Sequence, residues 1–305
     1  MWTLLAFLSA LCLGCYDVSK KIALRNNRVV DVLTLSVCVS AIILSMPLLL
    51  SRLHPEWMSD TPFMVPELDW QAHLFILLKS VIVLSSWVFA YVSLKHLPIS
   101  LVSPMQATRP MWTLIGALLL FGERLNSWQW AGVSLAIGTV FIFSLIPLIR
   151  RKRHPKRLTP APTRYYVFLA LAILIGACSG LYDKYLMRRY DHNAVQVYYT
   201  FYQSAMMIIV WLVINRASFR FRLAKGSLLP VILIAVFLVI SDNVYMLALR
   251  DPDSMIAVVS TIRRGGTVIG LAYGLLILKE PDPWHKILCM LGISAGLLCL
   301  AFGAL

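Results

Sequence analysis

At 305 residues, with 59% hydrophobic content and a mean hydropathy of +0.77, the chain has too little polar surface to cover a soluble globule. Charged residues make up 14%, against about 25% in an ordinary soluble domain. The formal net charge of +14 sits in short clusters between apolar runs, which argues against a nucleic-acid partner and for membrane topology signals.

A spanning helix needs roughly 20 apolar residues to cross about 30 Å of hydrocarbon. Ten segments meet that requirement: 3–22, 30–50, 72–94, 99–121, 128–148, 165–186, 194–214, 228–249, 254–277 and 284–304. The first opens Met1-Trp2-Thr3 without a basic flank and reads as a retained helix, not a signal peptide. Trp128 and Trp284 stand where a helix re-enters the membrane, as interfacial anchors do. Between the fifth and sixth spans lie a basic run, 150–157, and a proline-bearing stretch, 158–163. The expected architecture is an all-α membrane protein of ten transmembrane helices in two inverted five-helix repeats. The repeats cover 1–149 and 165–305, joined by a basic linker, 150–164.

The halves repeat one another in detail. Gly14-Cys-Tyr-Asp17 returns as Gly180-Leu-Tyr-Asp183, and Thr113-Leu-Ile-Gly116 as Thr267-Val-Ile-Gly270. Each of the latter follows closely on arginine, Arg109 in the first half and Arg263 and Arg264 in the second. Each half then reaches a glutamate, Glu123 or Glu280, and a tryptophan that opens its last span. Five is an odd number of crossings, so the second copy must insert upside down, a design typical of carriers with a midplane site. The loops after the odd-numbered spans hold most of the Lys and Arg, which places both termini outside.

Seven charged residues lie in the interior of spans, three or more residues from either end: Asp17, Lys79, Arg109, Asp183, Asp242, Arg263 and Arg264. Unpaired, they cost on the order of 20 kcal/mol, so they require partners or a wet cavity. Arg109 is followed by Pro110, and Arg263-Arg264 by Gly265-Gly266, in corresponding spans of the two halves. Helix breakers at matching positions point to a central site. A guanidinium stays charged when buried, so each arginine needs an anion: an aspartate, or a substrate carboxylate or phosphate. Asp17 and Asp183 are the symmetric acids, open to cation binding, to proton exchange, or to salt bridges with neighbouring lysines. Asp242 faces the same choice, and Tyr16 and Tyr182 are candidate lining residues beside Tyr198, Tyr199, Tyr202 and Gln203.

With these motifs, and with Phe121-Gly-Glu-Arg-Leu125 ahead of Trp128-Gln-Trp-Ala-Gly132, the chain resembles the drug/metabolite transporter superfamily, EamA type. The resemblance implies two five-helix repeats over nearly the whole chain. It departs in orientation, since ten-helix members keep both termini in the cytoplasm. The arginines also resemble those of plastid phosphate translocators, which implies phosphate or carboxylate contact for Arg109, Arg263 and Arg264.

Other features have plainer readings. Glu123 and Glu280 are turn or capping residues, and the linker is a topology determinant. The six cysteines serve as small apolar residues despite Cys12-x-x-Cys15. Gly292-Ile-Ser-Ala-Gly296 mimics a hydrolase elbow but lies in an apolar helix, and it reads as helix packing with Gly176/Gly180 and Gly266/Gly270/Gly274. No catalytic residues, metal ligands or cofactor are expected. The expected function is a secondary transporter for a small polar metabolite, with a modest preference for organic anions, in the plasma (inner) membrane. Proton or counter-solute coupling and a homodimer are open to it. The alternatives are export of amphipathic or cationic compounds and lipid flipping.

Overall fold

The computed structural model describes residues 1–25, 27–59, 61–97, 105–106, 108–152, 162–215, 221, 223–224, 226–277 and 283–303. These are helical, with no strand among them. Among the described residues, six helices are long and apolar enough to cross a membrane. In chain order the helices are α1 (Trp2–Leu24), α2 (Val29–Leu53), the single turn α3 (Pro55–Met58) and α4 (Trp70–His96). There follow α5 (Arg109–Phe121), α6 (Ser127–Lys152), α7 (Thr163–Met187) and α8 (His192–Ile214). The last are α9 (Leu228–Arg250), α10 (Ile256–Arg264), α11 (Thr267–Leu276) and α12 (Pro283–Phe302). Glu280 and most of the linker, 153–161, lie outside the described residues.

The chain divides into two compact units, each drawing on both ends of the sequence. The first comprises Met1–Val81 and Tyr185–Pro252, the second Ile82–Lys184 and Asp253–Leu305. Lipid supplies no hydrophobic force between helices, so close backbone approach and interhelical hydrogen bonds must hold them. In the first unit, α1 lies against α9 through a reciprocal serine pair. Ser9 Oγ donates to the Ser241 carbonyl at 2.8 Å, and Ser241 Oγ returns a bond to the Ser9 carbonyl at 3.0 Å. Helix α2 lies against α8, where Ser204 Oγ donates to the Val37 carbonyl and Trp211 Nε1 donates to Asp31 Oδ1 at 2.7 Å.

The second unit uses the same devices. The later part of α4 meets α7 through Ser86 Oγ on the Ala172 carbonyl and Ser93 Oγ on the Tyr165 carbonyl. Helices α6 and α12 touch backbone to backbone: a Cβ on Gly132 would stand 2.7 Å from the Gly296 carbonyl oxygen. The expected packing role therefore holds for Gly292 and Gly296, whereas Gly270 has open space beside it. Cys12 and Cys289 are buried, but Cys178 is exposed, so the apolar-core reading does not extend to every thiol. Trp128 and Trp284 are exposed at the first turns of α6 and α12.

The Phe-Gly-Glu-Arg turn has a long-range purpose. Gly122 ends α5 in the left-handed conformation, φ +63°, which a side chain would disfavour. The chain then turns so that Glu123 accepts from the first amides of α10, Ile256 N at 2.5 Å and Ala257 N at 3.1 Å. Met255, at the N-cap of α10, makes no side-chain cap, so this remote carboxylate replaces one. Glu123→Ala is expected to cost about 1–3 kcal/mol by stranding these amides, and Glu123→Gln less, read as melting shifts of the detergent-purified protein.

In the first unit Asp191 is a local N-cap, accepting from Asn193 N at 2.9 Å and Ala194 N at 3.4 Å and pairing with Arg250 at 3.0 Å. Burial pushes its carboxyl up, but the His192 hydrogen bond and charge and the two helix amides outweigh this, leaving it below its ordinary value. A carboxyl depressed on folding stabilises above its unfolded value and loses that contribution as pH falls through the folded one. The Asp191 contribution should therefore be complete at neutral pH and vanish below about pH 4. Asp191→Ala should melt about 1 kcal/mol earlier at pH 7 and converge on the wild type in acid, checked by thermal unfolding across that range.

Candidate functional site

The second unit holds a cavity of about 220 Å³ in the region predicted to contain a site. Its walls come from five elements. Pro110 lies at the head of α5, Ala136 and Val140 on α6, Thr261 and Arg264 on α10, Thr267 on α11 and Ile293 on α12. Gln106 adds an amide from the segment before α5. The size suits a small metabolite better than a drug-sized ligand, for which sites run from about 300 to 1,000 Å³.

Local sequence explains why Arg264 stands there. Helices α10 and α11 are joined by Gly265 and Gly266, both in right-handed helical backbone. The hydrogen bonds across the join are tightened to i→i−3: Gly265 N to the Ile262 carbonyl, Gly266 N to Arg263, Val268 N to Gly265 and Ile269 N to Gly266. The ninth predicted span is thus two short helices meeting at a tight turn, without an unwound gap. A Cβ at Gly265 would lie 2.6 Å from Leu297 Cδ1 and 2.9 Å from the Ile262 carbonyl, so the turn excludes other residues. The carbonyl end of α10 and the amide end of α11 meet here, so their partial charges, of opposite sign, largely offset one another. Glu123 at one end of α10 and Arg263 and Arg264 at the other also match the polarity of that helix.

Arg109 begins α5, immediately before the cavity-lining Pro110. Its Nη2 donates to the Gly176 carbonyl on α7 at 2.5 Å. A Cβ on Gly176 would come within 2.5 Å of the guanidinium carbon, so the glycine makes room for the arginine to lie against the helix. Asp183 and Tyr182 lie on α7, Asp183 buried and Tyr182 partly so. Next to them Lys184, fully buried, donates to the Ser254 carbonyl at 2.7 Å and to Ser254 Oγ, fastening the start of the segment that leads into α10.

The remaining predicted residues belong to the first unit. Tyr16 and Asp17 lie on α1, Asp17 exposed, and Asp242 follows Ser241 of the serine pair on α9. Lys20 lies over the Tyr16 ring at 5.4 Å. Lys79 is buried on α4 with its ammonium 4.5 Å from the Tyr199 ring centroid. So five predicted site residues, Arg109, Arg263, Arg264, Tyr182 and Asp183, share one unit, and Tyr16, Asp17 and Asp242 share the other.

Sequence reasoning named Gln203 as a candidate lining residue but passed over the rest of its polar stripe on α8. Asn193, Gln196, Thr200 and Gln203 are buried at helical spacing, and Gln203 has neither amide atom hydrogen-bonded. The i, i+3, i+7, i+10 pattern in an otherwise apolar helix was the available signal. Asp31 was also missed. It is fully buried, with Oδ1 on Trp211 and Oδ2 without a hydrogen bond, but at the very start of the second predicted span it was left out of the intramembrane charges.

No curated protein matches the chain. A crystal structure of a protein 11% identical to it superposes with a TM-score of 0.73 over 99% of this chain and 96% of its own, which shows a shared fold. Residues 1–145, a little under half of the chain, match the EamA-like transporter family, which supports the resemblance to the drug/metabolite transporter superfamily and a multi-pass membrane protein.

Proposed function

We propose that the protein is a secondary transporter that moves a small polar metabolite, with a preference for organic anions, across the plasma (inner) membrane by alternating access. The observation that carries the reading is the cavity at the Gly265–Gly266 turn, with Arg264 and Thr267 on one wall and Pro110, next to Arg109, on another. A carboxylate or phosphate there would meet guanidinium charge in surroundings otherwise mostly apolar, where such contacts are strong.

Helix pairing supports the two inverted repeats. Numbering the spans from the sequence, span two lies with seven, four with nine, and five with ten. Span one lies with eight, and three with six, each through serine-to-carbonyl bonds. Each of these pairings maps onto itself or onto another when five is added to or taken from both numbers, as a two-fold repeat requires. In this reading both termini lie outside, by the distribution of Lys and Arg. Asp17, Asp183 and Asp242, with Tyr16 and Tyr182, are the acids and aromatics that accompany transport, coupled to protons or a counter-solute.

A thermal-shift screen of the purified protein against anionic, cationic and neutral metabolites tests the proposal, with Arg264→Ala and Arg109→Ala alongside. A ligand at 100 times its Kd adds about 2.7 kcal/mol of stability. Organic anions should stabilise the wild type and lose that effect in Arg264→Ala. Stabilisation by cations alone, equal in the variants, would overturn the anion preference and make Asp17 and Asp183 the site of an exporter.

A further inference from the structure

The first unit contains a second cleft that the transport reading does not use. It has two adjacent chambers, about 360 Å³ and 520 Å³, both lined by Phe63, Asn193 and Asn243. The deeper chamber lies among α2, α8 and α9. Its walls are apolar, with Leu44 and Pro47 on α2, Val197 on α8, and Val239, Ile240 and Val244 on α9. Ile240 and Phe63 at its edge are 42% and 60% exposed, and Ile42, Met46 and Leu49 continue an exposed apolar face along α2. In a membrane protein such a face meets acyl chains.

Between the chambers lies a belt of amides. Asn243 Nδ2 donates to Asn193 Oδ1 at 2.9 Å and to Gln196 Oε1 at 2.8 Å. Gln196 Nε2 donates to the Val239 carbonyl, and Asn193 Nδ2 to the carbonyls of Pro62 and Met64. The donors of Asn193 and Asn243 are committed, while Asn243 Oδ1 accepts nothing from the described residues and is left for a ligand hydroxyl.

The outer chamber carries both signs of charge. Arg250 Nη1 lies 3.0 Å from Asp191 Oδ2 and 3.4 Å from His192 Nδ1, which is 3.5 Å from the same carboxylate oxygen. The Arg250 side chain is 52% exposed, and its Nε and Nη2 make no hydrogen bond to the described residues. The mouth thus offers guanidinium N–H groups beside a carboxylate and the Pro62 and Met64 carbonyls, complementary to a zwitterion.

We propose that this cleft binds one monoacyl membrane lipid, a lysophospholipid, with a zwitterionic phosphoethanolamine head. The phosphate lies on Arg250, the ammonium on Asp191 and the loop carbonyls, a glycerol hydroxyl on Asn243 Oδ1, and the tail among Pro47, Val239 and Val244. The site is independent of the cavity at Arg264, so either assignment can fail without the other.

The test uses the full chain in a neutral maltoside, with palmitoyl lysophosphatidylethanolamine as probe and native mass spectrometry as readout. The wild type should hold one molecule saturably. Val244→Trp, which fills the tail chamber, and Arg250→Gln, which removes the phosphate contact, should each weaken binding about tenfold. Ile240→Trp blocks the same chamber from its exposed edge and replaces Val244→Trp if that variant does not fold. Phosphoethanolamine without a tail should not compete. Unchanged binding in the tail-chamber variant, or competition by the free head group, overturns the lipid assignment. Equal binding of lysophosphatidylglycerol overturns the zwitterionic head.

Discussion

The structure depends on helices being brought together in a solvent that does not drive them together. Lipid tails are as apolar as leucine, so exclusion from water contributes little once a helix has inserted. What remains is close backbone approach and hydrogen bonding between helices, each bond worth about 0.6 kcal/mol on average. The serine pair of α1 and α9, the serine-to-carbonyl bonds of α4 with α7, and the bare backbone contact of Gly132 with Gly296 are these contributions. They are individually weak and geometrically strict. That combination favours one set of partners without locking the bundle.

The charged residues follow the same economy of partners. Glu123 spans from one helix end to the first turn of another, Lys184 fastens the segment ahead of that turn, and Arg109 lies on a carbonyl exposed beside a glycine. Three buried or half-buried charges thus meet backbone groups. Backbone is a partner that a substitution does not delete, although Gly176 must stay bare for Arg109 to reach its carbonyl.

Much of this was legible in the sequence, because the membrane imposes length and hydrophobicity on every element. The span boundaries agree with the helices to within a few residues wherever both are described, from 3–22 against Trp2–Leu24 to 284–304 against Pro283–Phe302. The Gly-Gly interruption predicted the division between α10 and α11, though not its tight helical form. Glu123 was read as a turn or capping residue, but the helix it caps lies 133 residues on, and no local pattern encodes that distance. The belt of Asn193, Gln196 and Asn243 was missed for a related reason. Amides carry no charge to mark them, and two of the three lie on one helix and the third on another.

The interleaving of the two ends of the chain has a consequence for biogenesis. Helices α1 and α2 emerge first, yet α8 and α9, against which they pack, are made well over a hundred residues later. Until then the early hairpin sits in the bilayer with Ser9 and Asp31 lacking their eventual hydrogen-bond partners. Helices α5 and α6 wait likewise for α10 and α12. Assembly of both units is therefore a late event, and the insertion machinery, or lipid itself, must shelter half-finished surfaces through most of translation. Quality control that surveys exposed polar groups in the membrane has its longest opportunity in that interval.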